Sequence, residues 1–225
     1  MSVVKVFWHF WMVKGKSSMK STVQVCKVFL ELPEKEFSLL ILLCWITKLE
    51  EQHITVSNIN YYLYGDKPTK DRNKFISDTM DSLIKNNYIS GEILSPGEYL
   101  IYNQNFAANK EHPFIIIDMD IYFLLMRSKL NNKYSLVKYL AILINSFNYN
   151  IDINGKCGII GHMPISFLAT KMRKSHTTIS SYTKILEDLK IIYVFRSKDN
   201  NIYSLYKNRE LIILYLNKLD IDGIL

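Results

Sequence analysis

With 225 residues, 48% of them hydrophobic, the chain is long enough for one large domain or two small ones and too apolar for a disordered tract. A formal net charge of +7 suits a polyanionic partner, nucleic acid ahead of a membrane surface. Its three cysteines, Cys26, Cys44 and Cys157, are odd in number and form no CxxC pair, which excludes a disulfide framework or a zinc site and fits a reducing cytoplasm. The longest apolar runs, Val3 to Val13 and Phe37 to Ile46, fall far short of the ~20 residues a membrane span requires, and no small-residue cleavage site follows the first.

In chain order, alternation from Val4 to Met12, then Val23, Val25 and Val28 beyond Gly15-Lys16-Ser17-Ser18, predict an N-terminal β-hairpin arm over residues 1–31. Both faces of that hairpin are apolar, so the body of the protein or a second copy must cover it. The Gly-Lys-Ser triplet is not a phosphate loop, because Phe10 stands where that motif needs its earlier glycine. Pro33 to Leu49 reads as a helix with Glu34 and Glu36 in its first turn and Phe37, Leu40, Ile41 and Cys44 inward. A short helix over Thr55 to Leu63 and a turn at Tyr64-Gly65-Asp66-Lys67-Pro68 come next. A third helix, Asp71 to Asn86, turns Phe75, Ile76, Thr79, Met80 and Leu83 inward, and Ser95-Pro96-Gly97-Glu98 splits Tyr88 to Asn103 into a hairpin.

The polar, aperiodic stretch from Asn103 to Pro113 places a linker at 105–117, with a strand expected from Phe114 to Ile117. Beyond it, Asp118 caps a helix to Ser128, Leu136 to Phe147 is an apolar helix, and Lys156 to His162 is extended. Pro164 to Met172 and Ser175 to Leu189 are helices joined at Arg173-Lys174, Ser175 being the N-cap of the second. A hairpin turning at Lys198 to Asn201 and a last helix, Arg209 to Leu219, with Leu211, Leu214 and Tyr215 on its packing face, complete the chain. Two units with one order suggest a repeat, 32–104 and 118–225. At an offset of 103 residues Leu40 meets Leu143, Ile76 meets Ile179, Leu83 meets Leu186 and Ile89 meets Ile192; the second helix of each unit aligns at 109, so the first unit's turn is six residues longer (109 − 103).

The helix after Ser175 carries Ile179, Tyr182, Leu186 and Leu189 on one stripe and Thr177, Ser180, Ser181 and Lys184 on the other. Acids are missing from Thr177 to Lys184, unlike an ordinary solvated face, and Arg173 and Lys174 precede it. In the first unit Asp78 and Asp81 occupy the places of Ser181 and Lys184, and carboxylates repel phosphate. If one unit binds DNA, it is the second.

Residues Ile165 to Val194 resemble the winged helix-turn-helix pattern of bacterial regulators and of plasmid and phage replication proteins, through Leu168-Ala169, Ser175, Thr178-Ile179, Leu186-Glu187-Asp188-Leu189 and Ile191-Ile192. Lys190 departs from the glycine common at that position. The resemblance implies a mainly α fold with small β-wings (α+β), two winged helices in tandem, the tandem being similar to replication initiators and DnaD-like replisome organisers of Gram-positive bacteria. It implies major-groove base contacts by His176, Thr177, Ser180, Ser181 and Lys184, and phosphate contacts by Arg173, Lys174, Ser175, Arg196 and Lys198. A transcriptional regulator or replication initiator of a mobile element or Gram-positive genome is then expected, cytoplasmic and nucleoid-associated, binding double-stranded DNA as a homodimer and recruiting a replication or transcription protein. The alternative is an adaptor whose winged helices bind proteins in a replisome or partition complex. No cofactor, metal or catalytic group is expected. The histidines His9, His53, His112, His162 and His176 lack ligand spacing, Asp118 and Asp120 suit a helix cap, and Tyr61, Tyr62 and Tyr64 suit a core better than a stacking platform.

Overall fold

Two helices built from the most apolar stretch of each half pack against one another at the centre of the protein. The structure, a computed structural model, describes residues 22–47, 51–102, 113–147, 149–153, 156–196, 201–210, 212–214 and 216. The central helices are α1, Glu34–Ile46, and α5, Lys133–Ser146. Sequence periodicity gives α1 one inward face, yet every residue from Phe37 to Cys44 is buried, because α5, the third helix and the first strand cover it from several sides. A helix apolar all round is what such a position demands. One continuous apolar cluster holds residues of both halves.

The first unit runs β2 (Gln52–Thr55), α2 (Val56–Tyr64), α3 (Lys70–Lys85), β3 (Gly91–Ser95) and β4 (Glu98–Ile101), its sheet ordered β2-β4-β3 and antiparallel. Thr55 and Thr69 cap the two helices, each accepting from the amide three residues on. The hairpin turns at Pro96-Gly97, where Gly97 adopts a φ of 84° that its missing Cβ permits. After α4 (Met119–Met126) and α5, the second unit repeats the order as β6 (Tyr149–Ile153), β7 (Lys156–Met163), α6 (Ile165–Met172), α7 (His176–Asp188), β8 (Ile192–Arg196) and β9 (Asn201–Leu205), its sheet ordered β6-β7-β9-β8. Strand β7 lies beside β9 as β2 lies beside β4. Strand β6, a hairpin partner for β7, has no counterpart among the described residues of the first unit.

The repeat extends to burial. Ile76 and Ile179, like Leu83 and Leu186, are fully buried, and so are Ile59 and Leu168 at the offset of the second helices. Each third helix closes through a left-handed residue, Asn87 at φ 56° and Lys190 at φ 54°, whose amides reach back to Ile84 and Glu187. Lys190 thus takes the backbone conformation that glycine usually supplies there.

Strand β1, Thr22–Cys26, pairs with β5, Phe114–Asp118, in register Thr22↔Asp118 to Cys26↔Phe114, a partner the local hairpin reading did not supply. Residues 114–117, expected in the linker 105–117, therefore belong to a sheet whose Val23, Val25, Ile115 and Ile117 turn inward, and Lys27–Glu31 is a 3₁₀ helix rather than strand. Local alternation predicts a strand but not a partner about ninety residues away. The C-terminal helix, described at 209–210, 212–214 and 216, packs through Ile212 and Leu216 against Ile160 and Ile202, with Leu214 half-buried. Arm residues 1–21, linker residues 103–112 and the side chains of Leu211 and Tyr215 lie outside the described residues. Among the described residues no helix is long and apolar enough to cross a membrane.

Candidate nucleic-acid interface

Helix α7 is held to the core by Ile179, Tyr182, Thr183 and Leu186, all buried. Thr183, polar and placed nowhere by the apolar pattern, is part of that anchorage. Its hydroxyl donates to the Ile179 carbonyl at 2.9 Å, so the Tyr139 hydroxyl of α5 donates to Thr183 Oγ1, 2.7 Å away. The Tyr139 ring also tilts against Tyr182 at 5.9 Å, and burial pushes the Tyr139 phenol well above its ordinary range. Leu189, expected on the buried stripe, is 36% exposed instead, because the helix ends there as its chain turns into Lys190.

The opposite face is open. His176, Thr177, Ser180, Ser181 and Lys184 are all exposed and share one side of α7, as the spacing requires. Ser175 caps the helix, its Oγ accepting from the Thr178 amide at 3.1 Å, which leaves the first amides to a ligand at the helix's positive end. Arg173 terminates α6 at φ 53° and is exposed, as is Lys171 two residues before it. Among the described residues no carboxylate pairs with Arg173, Lys171 or Lys184. Lys171 was not singled out from sequence; its place in the last turn of the helix before Arg173 was the available signal.

Two expected phosphate ligands are already engaged. Lys174 Nζ lies 3.3 Å from Glu34 Oε1 at the start of α1, and Glu34 also accepts from Ser135. Arg196 makes a two-pronged ion pair with Glu187 of α7, one contact at 3.1 Å, and this partner raises the guanidinium's pKa further. Lys198 lies outside the described residues.

The corresponding surface of the first unit differs. Asp78 pairs with Lys74 at 2.7 Å, while Asp81 accepts from the buried Tyr99 hydroxyl at 2.9 Å, so the carboxylate in the place of Lys184 serves the core. Desolvation raises the Tyr99 phenol to about 12. Tyr62 and Tyr64 are also structural: Tyr62 stands edge-on to Trp45, and Tyr64, bonded to Tyr134, lies beneath Arg72 at 4.3 Å and Lys133 at 4.4 Å. These contacts join the first unit's turn to α5.

Among the described residues no group of histidine, cysteine or carboxylate side chains could hold a metal ion. Asp118 caps α4 by accepting from the amides of Asp120 and Ile121 at 3.0 and 3.4 Å. Cys26 and Cys44 are buried free thiols, and burial lifts Cys44 to about 12, leaving it unreactive. Comparison with protein-family models, with curated proteins and with solved structures yields no match.

Proposed function

We propose that the chain is a sequence-specific double-stranded DNA-binding protein made of two winged helix-turn-helix units in tandem, the second of which contacts DNA. The carrying observation is the exposed face of α7 from His176 to Lys184, a stretch without a carboxylate, with Arg173, Lys171 and the helix's positive end beside it. Helix α7 enters the major groove, where His176, Thr177, Ser180, Ser181 and Lys184 meet base edges and the Thr177 methyl suits thymine. Phosphate neutralisation by Arg173, hydrogen bonding at the Ser175 end of α7, and Lys174, Arg196 and Lys198 released or recruited on contact supply affinity independent of sequence. A homodimer supplies two such helices for two half-sites. The action is that of a transcriptional regulator or a replication initiator, which differ in what they recruit once bound.

Fluorescence-anisotropy titration of a labelled duplex over a range of salt tests this. Arg173→Ala weakens binding to every duplex alike and lowers the salt slope by about 1. An unchanged slope contradicts the phosphate role of Arg173.

A further inference from the structure

The two units share order and core, so their outer residues can be compared position by position. At the offset of 103, Ile93 stands where Arg196 stands in the second unit. Ile93 and Leu94 are 41% and 49% exposed on β3, and Tyr88, packed edge-on to Phe29, is 38% exposed just before that strand. Glu92 and Glu98 are exposed around them; Glu92 accepts from Tyr102 and Glu98 from Ser95. Residues 86–109 hold these two carboxylates and no lysine or arginine, in a chain whose net charge is +7. Strand β3 is the outer strand of its sheet, and among the described residues nothing pairs with its far edge. Lysines commonly blunt such an edge; here a register shift between Ile93 and Ser95 confines regular pairing to its Gly91 end, and the side chains beyond are aliphatic.

We propose that this hairpin docks an extended segment of a partner protein, basic and aliphatic, which adds a short strand to the edge of β3. Its aliphatic side chains cover Ile93, Leu94 and Tyr88, while its lysines or arginines meet Glu92 and Glu98. Charge selects that occupant. DNA is repelled by both glutamates, and a second copy docking through the same surface places Glu92 and Glu98 against their own counterparts. The two units then hold different macromolecules, and the inference for the first does not rest on the DNA contacts of the second.

The test uses the full-length protein and two fluorescein-labelled probes, a peptide of alternating valine and lysine and its valine–glutamate counterpart, followed by anisotropy. The lysine peptide binds and the glutamate peptide does not. Leu94→Thr, which retains strand propensity, and Glu92→Gln with Glu98→Gln each weaken binding at least tenfold, with melting temperature and duplex affinity as in the parent. Equal binding of both peptides, or lysine-peptide affinity unchanged in the variants, overturns the proposal. So does light scattering in which Leu94→Thr dissolves an oligomer of the parent, which assigns the edge to a second copy, or a loss of duplex affinity in that variant, which assigns it to DNA. Duplex binding without peptide binding rejects this docking edge alone.

Discussion

Thr183 shows how a polar residue can position a surface without belonging to it. Through Tyr139 it fixes the roll of α7 against α5, and so the direction in which Lys184 and Ser180 project. Thr183→Val removes that bond while Tyr203 remains a hydrogen-bond partner of the Tyr139 hydroxyl, and costs about 0.5–1.5 kcal/mol of stability; Tyr139→Phe then costs less in the Thr183→Val background than in the parent. Urea denaturation of the two single variants and the double variant checks it; strict additivity contradicts the pair. His162 on β7 has a pKa lowered from 6.5 by burial. Above 6.5 both folded and unfolded states hold it neutral; below, the unfolded chain takes up the proton first, so stability falls as pH drops through the range between the ordinary and the folded value. His162→Gln removes that component, seen as a smaller shift in urea midpoint between pH 7.5 and 5.5. At this scale the sequence revealed caps and apolar stripes, because Ser175, Asp118 and Ile179 act on residues within one turn. It hid Thr183 and the ion pairs of Lys174 and Arg196, because their partners Tyr139, Glu34 and Glu187 are set by packing.

At the scale of elements, the contact between α7 and its hairpin is the adjustable one. Glu187, 23% exposed at the end of α7, restrains Arg196 on β8. Binding to phosphate requires Arg196 to exchange that carboxylate for the DNA backbone. Glu187→Gln releases it, and duplex affinity rises several-fold at low salt with a salt slope steeper by about 1. Affinity unchanged in that variant shows that Arg196 does not reach DNA. The order of elements in both units was legible from turn residues and apolar periodicity, Pro96-Gly97 and Ile76 among them. Strand β2 was not, since Gln52–Thr55 is too short to show alternation, and β6, Tyr149–Ile153, was missed although the Asn154-Gly155 dipeptide after it is a hairpin sequence. The β1–β5 pairing escaped for a different reason: β-strand signals are local, and this ladder joins residues 22–26 to 114–118.

At the scale of the whole molecule, α1 and α5 make the two units share a core, while their outer faces diverge in charge. The first unit turns Asp81 inward onto Tyr99 and carries Glu92, Ile93 and Leu94 on its hairpin; the second leaves Lys184 and Arg173 without a carboxylate partner among the described residues, beside a stretch of α7, His176 to Lys184, that holds no acid. Division of labour between duplicated units is the central claim, and α7 as the contact with bases is its sharpest form. Selection of bound duplexes from a random-sequence pool, run with the parent and with the Thr177→Ala, Lys184→Ala double variant, tests it most directly. The account predicts one enriched motif with the parent, and a loss or change of that motif with the double variant while binding to unselected duplex persists. Enrichment of the same motif by both proteins, or of none by the parent, contradicts it.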